Sequence, residues 1–428
     1  MARRAHCDHP SQVRCEEVQT LASLAVPTKQ KRSGWVVVFA LLLVMTVCHG
    51  IITSGLPALD RTLLETLDIS RADLKLRETI FLMASGLSGL GIGFLTARVA
   101  PRTIVLAGLA MLAAALAIYG HAQSIGQIYV LYALLGMCYA SAHVVIVVLM
   151  VRQCFEERRA LAISVALSGT SIGSAIFPSL IVLALEHYHW RDVLMWLAIL
   201  PIILLPIVAV LLPRLRVGET LSPPSAVTAK PVTLYRRSPL VVGLLLVAIF
   251  AIFFSSTAFL LNLFLYLEDI GMSAQMTAVG VSTVFIVGLI GKILVGMAAE
   301  RWGVHQVWTS QQCILLAGAA ILSLAIPSVA FVGLALLGLG WAGCYVLTQV
   351  VISEVFAGPN LGRIAGGFIV FEAIASGSGV WIAASAADHF GSYQNAFILC
   401  CGLLVVSIFA TLLFRRFAIV RGVTPAKI

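Results

Sequence analysis

Charge is scarce in this chain: of its 428 residues only 11% are Asp, Glu, Lys or Arg, against 60% hydrophobic. A soluble domain keeps about a quarter of its residues charged, so a water-facing surface is excluded for most of the length. Alternating apolar–polar segments are missing too, which disfavours a strand barrel. Residues 1–33 are polar and basic, without an apolar core or cleavage site, so no secretory signal is expected. The nine cysteines show no disulfide spacing, and Cys48, Cys138, Cys313, Cys344, Cys400 and Cys401 fall inside apolar runs. His6-Cys7-Asp8-His9 with Cys15 has no second cluster at ligand spacing, so a disordered tail is expected there rather than a metal site. No phosphate loop, metal-ligand cluster or nucleophile–base arrangement is visible. An enzyme, a bound cofactor and a drive by ATP are therefore not expected.

What the chain has instead is continuous apolar runs of twenty-odd residues, each long enough as a helix to cross roughly 30 Å of hydrocarbon. Twelve spans are read, at 34–56, 78–97, 103–121, 127–150, 160–184, 192–212, 239–266, 277–298, 308–326, 329–352, 363–386 and 394–414. The stretch 214–238 holds Pro223, Pro224 and Pro231 with five basic residues, and is the expected linker between two six-helix halves, 34–213 and 239–414. Tails at 1–33 and 415–428 complete the division.

The net charge of +9 is unevenly placed. With a cytoplasmic N-terminus, 22 of the 28 Lys and Arg lie on the cytoplasmic side. Arg61, Arg71, Lys75, Arg77 and Arg191 lie outside, and Lys292 within a span. This is the positive-inside bias, so both termini are expected in the cytoplasm and no nucleic-acid partner is implied.

Four landmarks repeat at one spacing. Gly93-Phe-Leu-Thr-Ala97-Arg98-Val-Ala100 recurs as Gly296-Met-Ala-Ala-Glu300-Arg301-Trp-Gly303, and Ser70 recurs as Ser273, both 203 residues on. Glu186-His187 matches Asp388-His389 at 202, and Arg159 matches Arg363 at 204. Two like-oriented membrane halves are the repeat signature of many secondary transporters, whose site lies between the halves near the midplane. Glycine pairs Gly89/Gly93 and Gly169/Gly173 are expected to let helix backbones approach closely.

The repeated segment resembles the loop motif of the major facilitator superfamily, Gly-x-x-x-Asp-Arg-x-Gly. The resemblance covers about residues 30–415 and implies an all-α membrane protein of 12 transmembrane helices in two six-helix pseudo-repeats. It also implies gating loops at Gly93, Arg98, Gly296, Glu300 and Arg301. The first copy departs from the pattern, with Ala97 for the acid and Ala100 for the glycine. Within the superfamily the chain is most similar to the monocarboxylate-porter and oxalate/formate-antiporter branch. Gly34-Trp35, Phe155-Glu-Glu-Arg-Arg159, Ser168-Gly169-x-x-x-Gly173 and Lys292-Ile-Leu-Val-Gly296 carry that similarity. It implies that Lys292 meets a substrate carboxylate.

Only Lys292 and Glu372 are expected as strong charges well inside spans. Each costs about 2.5–3.5 kcal/mol at the bilayer centre without a partner or water-filled cavity. Lys292 is six residues from the inner end of span 8 and Glu372 nine residues into span 11. At roughly 1.5 Å per residue these are depths of about 9 and 13 Å. A Lys292–Glu372 pair is expected, either as a charge switch binding an anion and a proton or as a structural pin between helices. His49 and His143 read as proton relays or as neutral hydrogen-bonding groups. Tyr139 shares a face with His143, and Tyr345 with Gln349. Asn262, with Ser255, Ser256 and Thr257, gives span 7 a polar patch that either orients a ligand or joins helices.

The function expected is a secondary transporter in the cell membrane, moving a small organic anion, a monocarboxylate above all, with protons or by exchange. Two alternatives stay open: a carrier of neutral or hydrophobic compounds, and a membrane sensor that keeps the fold without transport.

Overall fold

The computed structural model describes residues 29–96, 98–142, 144–155, 158–213, 238–356 and 361–418. Ala97, His143, the tail cluster at residues 6–15 and nearly all of the 214–238 linker therefore lie outside the described residues. Within them the secondary structure is helical, with no strand.

Helix α1 (Lys29–His49) passes through a π turn at Gly50–Gly55 and a 3-10 turn at Leu56–Leu59 into α2 (Asp60–Leu67). Pro57 has no N–H for the ladder, and Gly50 and Gly55 tolerate the widened turn. There follow α3 (Arg71–Leu95), α4 (Pro101–Tyr119), α5 (Ile125–Ser141), α6 (Val144–Cys154), α7 (Arg159–Leu185) and α8 (Trp190–Leu211). After the linker come α9 (Pro239–Asp269), α10 (Ala274–Trp302), α11 (Val304–Ser323), α12 (Pro327–Val355), α13 (Leu361–Phe390) and α14 (Gln394–Ala418). Taking α1 with α2, and α5 with α6, as single crossings gives twelve. The helix that opens span 4 ends at Ser141, with Ala142 at φ −112°, ψ 17°.

Ten helices among the described residues are long and apolar enough to cross a membrane. α3 opens with five charged residues among its first eight, and α11 carries Gln306, Gln311 and Gln312. Both are nevertheless built into the bundle, α3 against α5 and α13, and α11 against α12 and α14.

The repeat is visible in local chemistry. Ser70 and Ser273 are the N-caps of α3 and α10, their hydroxyls accepting from the amides of Asp73 and Met276. The two most extensive packings between the first six spans and the last six are also repeat equivalents: α3 on α13, and α10 on α7. The loop motif explains its own asymmetry. Gly303 ends α10 and begins α11 at φ 90°, ψ 141°, a conformation essentially reserved for glycine. Ala100 caps α4 at φ −60°, where Pro101 starts the helix and a side chain is harmless.

Helices approach closely at Gly169 and Gly173. A Cβ there would stand 2.4 Å from the Leu42 carbonyl oxygen and 2.1 Å from that of Thr46, so α7 lies on the bare backbone of α1. Gly89 differs from expectation, because a Cβ added to it would meet nothing within 4 Å.

The expected inventory of membrane charges needs a larger correction. The span expected at 78–97 starts at Arg71, so Lys75 and Arg77 are not loop residues. Both are fully buried, together with Asp60 and Glu78. Lys292 and Glu372 are therefore not the only ionisable groups inside the bundle.

Candidate functional site

Lys292 sits on the face of α10 that meets α7, so it stands on a seam between the two halves of the bundle. Its ammonium donates to the Ser171 hydroxyl at 3.2 Å. Among the described residues no carboxylate lies within 4 Å of it. The expected Lys292–Glu372 pair is thus not made in this structure. Farther along the same seam, Ser282 of α10 donates to the Ala175 carbonyl at 2.6 Å and approaches Ser179 Oγ at 3.4 Å. Ser171, Ala175 and Ser179 recur every four residues and form one stripe of α7.

Glu372, buried on α13, takes both its hydrogen bonds from the Gln349 side-chain amide of α12, at 2.9 and 3.2 Å. Tyr345, one turn before Gln349, is an electrostatic neighbour of Glu372. Tyr345 packs on Phe253 and Trp341 at ring-centroid distances of 6.2 and 5.5 Å. On its other side it neighbours Tyr139 of α5, which lies 4.1 Å from the His49 ring. Four expected groups, His49, Tyr139, Tyr345 and Glu372, therefore form a polar and aromatic path from α1 to α13. His143 lies outside the described residues. A hydrogen-bonded carboxyl beside a tyrosine can hold a proton and a small polar ligand; an ammonium on a hydroxyl can exchange that neutral acceptor for an anionic one.

Asn262 is used differently. Its amide nitrogen donates to the carbonyls of Ala258 and Val380 at 2.8 and 3.3 Å, tying α9 to α13. The neighbouring hydroxyls are similarly engaged: Ser255 with the Cys400 carbonyl, Ser256 with Ile252 and Thr257 with Phe253. In the polar patch of span 7, Asn262 and Ser255 join helices, while Ser256 and Thr257 bond back to their own helix. A groove of about 230 Å³ lined by Leu246, Val247, Phe250, Ala251, Phe371, Leu403 and Val406 is wholly apolar in its lining and contains neither Lys292 nor Glu372.

The two ends of the bundle differ. Successive helices alternate in direction, so α2, α9 and α13 finish, and α3 and α10 start, at the end away from the termini. Polar bonds join the halves there. Arg61 donates to Glu268 at 3.0 Å and Asp269 at 2.8 Å, and Arg71 also reaches Asp269. Asp388 accepts from the backbone amides of Arg71 and Ala72 at 3.1 and 2.7 Å, and Glu186 accepts from Gln275 at 2.5 Å. Glu186 with Gln275 and Asp388 with Ala72 are the same contact in the two repeats, since Gln275 and Ala72 are themselves 203 apart. At the terminus-bearing end, Arg98, Glu300 and Arg301 are exposed and form no ion pair among the described residues, and Arg301 lies 5.8 Å from the Trp302 ring. Gly93 lies within α3 and Gly296 within α10.

Ser171 and the Asp60–Lys75–Arg77–Glu78 group escaped sequence reasoning. Ser171 had a usable signal, the four-residue stripe on α7. The charges of α3 had none, because a charged run before an apolar one reads as loop.

The profile of the Major Facilitator Superfamily matches residues 38–330 and 263–426. Monocarboxylate transporter 12-B of Danio rerio is 33% identical over 99 residues, 22% of this chain and 20% of that protein. The match thus spans about a fifth of that relative's length. Among solved structures, a mutant of the nucleoside transporter NupG superposes with a TM-score of 0.71 at 13% identity, over 88% of this chain and 99% of the other. A bacterial homolog of the human lysosomal transporter Spinster, inward-facing and unoccupied, gives 0.68 at 14% identity, over 92% and 100%. At such identities the structures speak for the fold, and the profile for the family: this chain is an integral membrane protein belonging to the Major Facilitator Superfamily of transporters.

Proposed function

We propose that this protein moves a small organic anion, a monocarboxylate, across the cell membrane by alternating access, coupled to protons or by exchange. One observation carries the reading. Lys292 holds a positive charge on the α7–α10 seam, bonded to a neutral hydroxyl and free of any carboxylate within 4 Å among the described residues. An ammonium in that position is an anion site waiting for its counter-charge, and intramembrane charge marks substrate pathways by default. A carboxylate displacing Ser171 adds an opposite charge to a bond whose donor is already ionised, and so binds the ammonium more strongly. Glu372, with Gln349 and Tyr345, supplies the proton-carrying group and the polar wall. A single ammonium favours one carboxylate over two. The partial likeness to a monocarboxylate transporter supports the substrate class. Charge bias supports cytoplasmic termini, so the ion-paired end at Arg61, Arg71 and Asp269 faces outward.

Counterflow in proteoliposomes tests the class. With the vesicles loaded with a panel of monocarboxylates, dicarboxylates and nucleosides in turn, labelled monocarboxylate uptake is expected only against monocarboxylates. Counterflow restricted to nucleosides or other neutral solutes would replace this reading, and none with any solute would favour the non-transporting sensor.

A further inference from the structure

Beyond the Lys292 site, the bundle buries a second ionisable centre. Asp60 of α2 accepts from both Lys75 and Arg77 of α3, and all three have no exposed surface. Lys75 also donates to the carbonyl of Leu261 on α9, so the centre is fastened across the halves. Arg77 donates to the Tyr119 hydroxyl at 3.0 Å and lies 4.8 Å above the Tyr132 ring. The fourth member, Glu78, is fully buried, and neither of its carboxyl oxygens has a hydrogen-bond partner; Arg77 approaches it only to 3.5 Å.

Its electrostatic surroundings are complete. Arg77 and Lys75 face it from its own helix, Asp60 from α2, Tyr119 from α4 and Tyr132 from α5. On the α13 side, Thr79 donates to the Gly377 carbonyl, and the acid nearest the start of α3 is Asp388 on its backbone amides. α9 offers the Leu261 carbonyl here, and its acids Glu268 and Asp269 are held by Arg61 and Arg71.

We propose that Glu78 is a proton-binding site, separate from Glu372, whose protonation from the end away from the termini releases the α3–α9 fastening and opens that end. With Glu78 ionised, two cations and two carboxylates cancel. A proton taken from solution onto a Glu78 oxygen makes it a neutral acid and leaves one uncompensated positive charge in a fully buried site. Burying an unpaired ion is unfavourable, so the charge is relieved by hydrating the Lys75 ammonium. Hydration removes the bond to Leu261 and lets α3 part from α9. Protonation thereby becomes a local charge change acting on a two-state element. No carboxylate substrate enters this step, so it stands or falls apart from the Lys292 reading.

The test uses the full chain in lipid nanodiscs without substrate, spin-labelled through Glu65→Cys and Ala274→Cys at the outer ends of α2 and α10. The inter-label distance is expected to lengthen as pH falls from about 8 to about 5.5, as one proton binds. Glu78→Gln gives the long distance throughout, whereas Glu372→Gln keeps the wild-type response. Should Glu78→Gln not fold, Glu78→Asp serves, and moves the midpoint by about half a pH unit or more. A distance indifferent to pH in the wild type, a wild-type shift in Glu78→Gln, or an unmoved midpoint in Glu78→Asp would each overturn the proposal.

Discussion

Lys292 on α10 donates to the Ser171 hydroxyl on α7 at 3.2 Å, across a seam that alternating access must open. A neutral acceptor is the weaker partner for an ammonium, and a carboxylate the stronger. Under the proposed function, rocking the halves apart separates Lys292 from Ser171 while an anion bound in their place moves with α10, and the pair joins substrate exchange to helix movement through one hydrogen bond.

Glu372 is the group expected to carry the proton in transport. Glu372→Gln keeps a bond to Gln349 while losing the titratable group. We expect gradient-driven accumulation to fall at least about tenfold, a change equal to about 1.4 kcal/mol, with counterflow largely retained. Parallel measurement of the two modes in proteoliposomes checks it, and equal loss of both contradicts a proton role.

The ion pairs at the end away from the termini predict how that end opens. Asp269→Asn removes the carboxylate shared by Arg61 and Arg71, both partly exposed. Such pairs are worth about 0.2–1 kcal/mol each. Loss of about 1 kcal/mol changes the open-to-closed ratio about fivefold. A Ser282→Cys probe on the α7–α10 seam should then react several times faster with an impermeant thiol reagent applied to that end.

Packing predictions separate two glycines that look alike in sequence. Gly173→Ala drives a methyl into the Thr46 carbonyl and should lower stability by about 1–3 kcal/mol. Gly89→Ala meets open space and should stay within about 0.5 kcal/mol. Thermal unfolding in detergent distinguishes them.

Backbone conformation makes a similar contrast between the repeats. Gly303→Ala places a side chain at φ 90° and should cost about 1–3 kcal/mol. Ala100→Gly, at φ −60°, should change stability by about 0.5 kcal/mol or less. The same unfolding assay applies.

The spans and the repeat were legible because apolar runs and recurring landmarks are local signals, although Ser70 and Ser273 were read as landmarks and not as caps. Tyr345 and Gln349 were legible as one face of span 10 through helical spacing, but the contact of Glu372 with them was not. What was hidden is pairing between distant elements. Lys75 and Arg77 look like loop charges until Asp60, fifteen and seventeen residues earlier, is folded onto them. The Lys292–Glu372 pair failed for the converse reason: depth in the membrane fixes height along a helix but not the direction a side chain faces. Lys292 faces α7 and Glu372 faces α12.

Proton-gradient-driven uptake of labelled monocarboxylates into proteoliposomes, wild type beside Lys292→Ala, tests the central claim most directly. The account predicts concentrative uptake in the wild type and its loss in Lys292→Ala, with the variant still folded by its unfolding temperature. Undiminished uptake in Lys292→Ala would contradict it.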